Sequence, residues 1–521
     1  MNQICIECNS DNLQKKGIRL AGKTRNLAYK CNDCGEEFSV PYNNEPEEII
    51  ENDDLHYIRD EEYISSIISK NRIVFTTALN NTPINKRFYN SLQQYCNHND
   101  ASFVVFPIRY KNPSLINTDS KVWYPSEIVP YLSENKIDIL PNLKALGGLK
   151  PQATADSPLS GIDGLSKGAS LIFGHPQVAL KTLARISEKY PAIVCTTGSI
   201  SEKNYSSTKA GYKAAFNHSM SAVVVEIDDD GDFFIRHLNF DGKGFYDFEN
   251  YYTSKSVKKI DNPIEAIAVG DEHAAFVDPD VRKATYDNKD SIVKVLKPKK
   301  IIRHDVLDFF SGSHHHKNDV FLKYAKHHSQ GIWSVKSELD LTIDYINDTT
   351  PPNTTNLLVA SNHTDHLKRW LNEYTTGDSE NALLYHYLMY KMLENTKLDG
   401  QAFYCPEPFE LYASDKMQEN TLFLSRNESF RIKDVLISSH GDAGTNGSRG
   451  SPKQFASIPA KMIVGHSHSP SIEKGCYTLG TSSLLRMSYN KGSSTWDNCQ
   501  CLIYNNGKRQ MVFIRNGKWR V

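Results

Sequence analysis

The sequence predicts an α/β protein built from several domains, and three observations predict it. From residue 64 onward, apolar strand-like runs alternate with helical stretches. Three late apolar runs each lead into a histidine-bearing motif, which is how a sheet delivers polar groups from its strand ends. Four cysteines in two close pairs set residues 1–42 apart from the rest. At 521 residues the chain can hold a few domains of ~100–200 residues each.

Composition narrows the function. Lys and Arg number 60 against 61 Asp and Glu, a formal charge of −1, which excludes a uniformly basic nucleic-acid coat and an acidic disordered chain alike. Hydrophobic residues at 39%, with 27 Tyr and 22 Phe, are enough to fill real cores. No run reaches the ~18–20 apolar residues of a membrane span, and the opening MNQICIEC lacks the layout of a signal peptide. The expectation is a chain that stays in a reducing cytoplasm, where its 10 Cys serve as metal ligands or buried thiols rather than disulfides. Thirteen of the 18 His follow residue 270, which points to chemistry in the second half.

Residues 1–42 carry Cys5-x-x-Cys8 and Cys31-x-x-Cys34. Each pair grips a metal from a tight knuckle, and two knuckles complete a tetrahedral Zn²⁺ site, so this block reads as a zinc ribbon with one structural zinc. Between the pairs lie Lys15, Lys16, Arg19, Lys23, Arg25 and Lys30 with Asp11 the only acid. Such a hairpin is either a solvated face or a contact for nucleic acid. Residues 43–63 hold nine acids against Arg59, the pattern of a solvated acidic linker.

Residues 64–255 form a second α/β domain of unassigned role. RIVFTTAL (72–79), ASFVVFPI (101–108), SLIFG (170–174), AIVCTTG (192–198) and AVVVEI (222–227) read as buried strands. Helices are expected around 84–96 and over QVALKTLARISEKY (177–190), giving βαβ logic and a largely parallel sheet. No Walker sequence is present, so an ATPase has little support.

Residues 256–521 return to strands, with helices expected around 319–347 and 381–395 and short β segments in the tail, the terminal KWRV among them. Five pieces here carry chemistry. AIAVGDEH supplies Asp271 and His273, KIIRHDVLDF supplies Asp305 and Asp308, and LLVASNHTD supplies Asn362, His363 and Asp365. LISSHGD then supplies His440, and IVGHSHS supplies His466 and His468. Any one piece alone is a weak signal. Together they bring oxygen and nitrogen donors of the kind that Mn²⁺, Zn²⁺ or Fe²⁺ accept to the ends of successive strands. His314, His315 and His316 follow closely, and a glycine-rich loop with Arg449 (441–450) follows His440; both suit phosphate contacts or ordinary loops.

The order of these pieces resembles the calcineurin-like metallophosphoesterases, most closely their nuclease branch, over roughly residues 262–486. His304 and Ser361 stand where that family has Gly, and Thr364 displaces the usual acid by one place to Asp365. The resemblance implies an α/β sandwich at 256–521 holding two divalent ions, Mn²⁺ first and Zn²⁺ or Fe²⁺ as alternatives. One ion would take Asp271, His273 and His468, the other Asn362, His440 and His466, with Asp305 bridging. His363 would be the catalytic acid or charge stabiliser, with Asp365 orienting it, and a metal-bound hydroxide would attack the phosphodiester. The layout of ribbon, middle α/β region and late core, with HPQVALKT (175–182) and YPAIVCTTGSISEKNYSSTKAG (190–211), is similar to the first-step-transfer, pre-early nucleases of T5-type phages. That implies a DNase of the host cytoplasm that degrades host DNA and assists DNA transfer, with DNA, a homo-oligomeric copy and another phage transfer protein as expected partners. A metallophosphatase or nucleotide phosphodiesterase is the first rival. A DNA-binding transfer scaffold with a vestigial site is the second.

Overall fold

A computed structural model describes residues 4–8, 10–21, 24–41, 57–110, 122–186, 188–316, 318–330, 334–374, 379–400, 402–426, 428–487 and 490–521. It comprises two compact units, Met1–Asp54 with Lys121–Pro130, and Leu55–Ser120 with Tyr131–Val521.

In the first unit, the strands Leu13–Ala21, Thr24–Cys31 and Glu37–Pro41 form an antiparallel meander. Its small core is Cys5, Cys31 and Phe38, with Tyr29 stacked on Phe38 at 5.8 Å. Among the described residues this core is small, and small units of this kind are commonly stapled by a metal. Most of the acidic stretch 43–63 lies outside the described residues; its last three residues are not linker but open the helix Glu61–Ile68, which Asp60 caps by accepting from the Tyr63 amide.

The second unit is mixed α/β, organised by three sheets. The six-stranded sheet runs in the order Thr421–Leu424, Thr355–Val359, Lys300–Arg303, Ile264–Val269, Cys499–Tyr504, Arg509–Phe513. Its first four strands are parallel; Cys499–Tyr504 runs antiparallel between Ile264–Val269 and Arg509–Phe513. Side chains alternate as the pleat requires. Ala266, Ala268, Ile302 and Leu357 join one core with Phe75, Phe106, Ile172, Ile193 and Ile463 of the other two sheets. Ile267, Val269, Ile301 and Leu358 face the opposite way, onto Leu339, Ile343, Leu367 and Leu388 of the helices. Being buried on both faces explains why these strands read as continuous apolar runs.

The helices follow local signals. Ser334 caps Val335–Asp348 at the Ser337 amide, and the buried Val335, Leu339, Ile343 and Ile346 trace its apolar stripe. Ser361 and Thr364 form a reciprocal capping box at the start of Asn362–Glu373, whose Leu367 and Leu371 point inward. A third helix, Ala382–Asn395, buries Leu384, Leu388 and Met392.

Three expectations are corrected. The stretch 177–190 is not helical: Ala179–Leu183 is a strand, antiparallel to Ala192–Thr196. Val178 and Leu180 enter the central core while Ala179 packs on the opposite face, so two-sided burial overrides the helix-forming residues there. The middle sheets are mixed rather than largely parallel. Arg72–Leu79 pairs in parallel with Ser102–Ile108 but antiparallel with Ser221–Ile227, which folds back as a hairpin onto Phe233–Asn239. The terminal KWRV is no strand; Trp519 plugs the helix-side core and its Nε1 donates to the Asp290 carbonyl. The ten-stranded sheet also crosses residue 255, since Ala179–Leu183 pairs with Ser471–Glu473 through Leu180 and Ile472. Among the described residues, no helix is long and apolar enough to cross a membrane.

Candidate metal centre

Parallel strands place the chemistry. Ile264–Val269 runs into Asp271 and His273, Lys300–Arg303 into His304 and Asp305, and Thr355–Val359 into Asn362 and His363. From the ten-stranded sheet, Val435–Leu436 leads to His440 and Lys461–Val464 to His466 and His468. Backbone hydrogen bonds stitch these loops together: the His273 amide donates to the Asp305 carbonyl (2.8 Å), the Glu272 amide to that of His304 (3.1 Å), and the Gly465 amide to that of His440 (2.6 Å). Gly465 is glycine for a steric reason, because a Cβ there would collide with Asp271 Oδ1. His273, Asp305, His466 and His468 all hold left-handed backbone, φ 45°, 41°, 68° and 56°. Each such residue costs ~1–3 kcal/mol, a strain that clusters at functional sites.

The side chains converge. His468 Nε2 lies 3.0 Å from Asp271 Oδ2 and 3.1 Å from His273 Nε2. His440 Nε2 lies 3.0 Å from Asp305 Oδ2, and its Nδ1 is 3.4 Å from His304 Nδ1. Asp271, His273, His304, Asp305, His440 and His468 are all buried. Several donor atoms in this dry cluster have no hydrogen-bond partner: Asp271 Oδ1, Asp305 Oδ1, Asn362 Oδ1, His304 Nε2 and His468 Nδ1. Buried polar atoms in proteins are as a rule hydrogen-bonded, so a concentration of unpaired carboxylate, amide and imidazole donors fits hard-to-borderline cations. Atom sets close enough to share an ion include Asp271 with His273 and His468, Asp271 with His304 and His440, and His273 with Asp308 and His363. Asp308 Oδ1 sits 2.8 Å from His273 Nδ1, the arrangement by which a carboxylate fixes a ligand's tautomer and frees Nε2.

The electrostatics are strong. Burial opposes a charged His273, yet Asp308, Asp305 and Asp271 raise it to about 9. Burial likewise opposes a charged His440, and Asp305 and Asp271 raise it to about 9. Burial would raise the Asp271 carboxyl, but His440 and His468 outweigh it and bring it to about 2. His304 goes the other way, pushed to about 4 by burial and by His440.

Asn362 opens its helix, and His466 is half-buried with its ring 5.4 Å from that of His440. His363 sits at the rim; its Nδ1 meets the Asp308 carbonyl at 2.5 Å and its Nε2 lies 3.8 Å from Asp305 Oδ2. A carbonyl only accepts, so Nδ1 carries the proton. Asp365 is not beside that ring. It is exposed and bonded to Arg426 Nη2 at 2.8 Å, and Arg426 Nη1 holds Asp442 at 2.8 Å. The orienting group for His363 is therefore the Asp308 carbonyl rather than Asp365.

Two features lack a plain sequence signal: His304, which stands where the resembling family has Gly, and the floor beneath it. Arg303 and Glu272 form a fully buried pair at 2.8 Å. Glu272 Oε1 also accepts from Tyr286 and Tyr345 at 2.8 Å each, and Arg303 donates to Thr349 and Asn356. A charged residue ending the apolar run KIIR was the available signal.

In the first unit, Cys5 Sγ and Cys34 Sγ are 3.6 Å apart, as are those of Cys8 and Cys31, and all four share one potential ion site. The Cys34 amide pulls the Cys31 thiol down to about 7, which favours the thiolate that zinc binds. Of the basic hairpin, the side chains of Lys15, Arg19, Lys23 and Arg25 lie outside the described residues; Lys16 is exposed. Arg449 is exposed as well.

The chain is similar to Protein A1 of Escherichia phage T5, being 33% identical over 474 residues that cover 86% of this chain and 82% of that protein. No protein-family model matches the chain, and no solved structure does.

Proposed function

This chain belongs to the family of Protein A1 of Escherichia phage T5, and from that premise we propose that it is a metal-dependent deoxyribonuclease that hydrolyses phosphodiester bonds. The observation that carries the reading is the convergence of Asp271, His273, Asp305, His440 and His468 with buried donor atoms left unpaired. Asp271, His273 and His468 would hold one divalent ion, Asn362, His440 and His466 a second, and Asp305 both; His304 is placed to support the second. Bound as a pair, such ions neutralise phosphoryl oxygens and acidify water at neutral pH.

The chain's own residues do the rest. Asp308 fixes the His273 tautomer with its carboxylate and the His363 tautomer with its carbonyl. His363 Nε2 is then the atom that delivers a proton to the leaving oxygen or stabilises its charge. Arg303 and Glu272 keep the strand ends rigid from below. DNA as substrate is favoured by the four-cysteine unit with its basic sequence, an arrangement suited to backbone phosphates. Degradation of host DNA by a phage protein is the role that fits.

Plasmid DNA, a phosphopeptide and p-nitrophenyl phosphate offered with Mn²⁺ test the reading. The account expects cleavage of DNA above the other two, and a ~10²–10⁴-fold loss in His363→Ala with metal content unchanged. Faster turnover of the phosphopeptide would overturn the substrate assignment, and full DNA cleavage by His363→Ala would overturn the assigned proton donor.

A further inference from the structure

A second cluster of imidazoles lies outside the residues assigned above. His314 and His315 sit on the short 3-10 turn His314–His316, and His366 projects from Asn362–Glu373. The ring of His366 is 4.8 Å from that of His314 and 5.4 Å from that of His315, steeply inclined to both. One nitrogen from each of the three lies within 4.8 Å of the others. His314 Nδ1 and His366 Nδ1 are buried and have no hydrogen-bond partner.

We propose that His314, His315 and His366 form a separate cation site, holding one borderline divalent ion of the Zn²⁺ class through three imidazole nitrogens. The donor set argues for that ion class. Imidazole suits Zn²⁺, Ni²⁺ and Cu²⁺, whereas Mg²⁺ and Ca²⁺ select oxygen. Zinc–nitrogen bonds of ~2.0–2.1 Å put tetrahedral ligands ~3.3–3.5 Å apart, within reach of these rings by small rotations. Three protein nitrogens leave a coordination position open, the pattern of sites that exchange water for a substrate oxygen. The ring of His363 is 5.1 Å from that of His366, so an ion here would flank the proton-transfer residue.

Zinc content tests the assignment. Full-length protein would be equilibrated against chelator-buffered zinc at the level that fills the four-cysteine site, and bound metal counted by mass spectrometry. His315→Ala removes an exposed ligand without opening a core, and His366→Gln provides a second, independent removal. Each variant is expected to hold one equivalent of zinc fewer than wild type, additive with the loss in Cys31→Ser. Cobalt substitution should show the corresponding loss of visible absorption without loss of the thiolate charge-transfer band. Unchanged zinc content in both variants would overturn the site, as would binding only at free zinc far above the level that fills the cysteine site. Neither readout depends on nuclease activity, so failure here is distinguishable from failure of the DNase reading.

Discussion

His273 and His440 are pulled in opposite directions by burial and by carboxylates, and the carboxylates win, holding both near 9. At neutral pH both rings therefore carry protons, and a divalent cation has to displace them to reach their nitrogens. Cation affinity should rise with pH up to about 9 and level off above it, with up to one proton released per ion bound, from His273 at one and from His440 at the other. Titration of Mn²⁺ by calorimetry in buffers of different ionisation enthalpy measures this directly. Affinity independent of pH between neutrality and about 9 would show that these two histidines are not ligands. At this scale the candidates Asp271, His273, His440, His466 and His468 were legible, because each follows an apolar run. The partner of His363 was not: a backbone carbonyl, that of Asp308, has no signature in side-chain spacing. His304 was missed for a different reason, being weighed against an expected glycine rather than as a donor in its own right.

Among the elements, the strands of the six-stranded sheet were the most readable, since two-sided burial leaves the apolar runs AIAV in Ile264–Val269 and LLV in Thr355–Val359. The strand Ala179–Leu183 was not, because its sequence holds good helix formers and only its partners at residues 192–196 and 471–473 decide the matter. The cysteine unit is the opposite case, with a motif far stronger than its core. Among the described residues its buried core is small, Cys5, Cys31 and Phe38 with Leu13, Tyr29 and Val40 against them, so its fold should depend on metal. Cys31→Ser is expected to lose one zinc and the hydrogen-exchange protection of Thr24–Cys31 and Glu37–Pro41, while the second unit stays folded. Retained zinc and retained protection would remove the ribbon from the account.

Over the whole molecule, the near-neutral charge of −1 hides opposed local blocks. A basic stretch between the cysteine pairs is followed by an acidic one, and the buried centre concentrates carboxylates that cations would neutralise. The ten-stranded sheet, drawing strands from both the middle and late parts of the chain, could not be foreseen, because pairing between residues 180 and 472 leaves no local trace. What holds the candidate centre in place is that shared framework: loops after strands of two different sheets meet at Asp271, Asp305, His440 and His468. This meeting point is expected to bind a pair of cations. Anomalous diffraction at the manganese edge from crystals soaked in Mn²⁺ tests it most directly. The account predicts two peaks, one among Asp271, His273 and His468, the other among Asn362, His440 and His466, with Asp305 between them. Manganese bound elsewhere and no peak at these residues would contradict it.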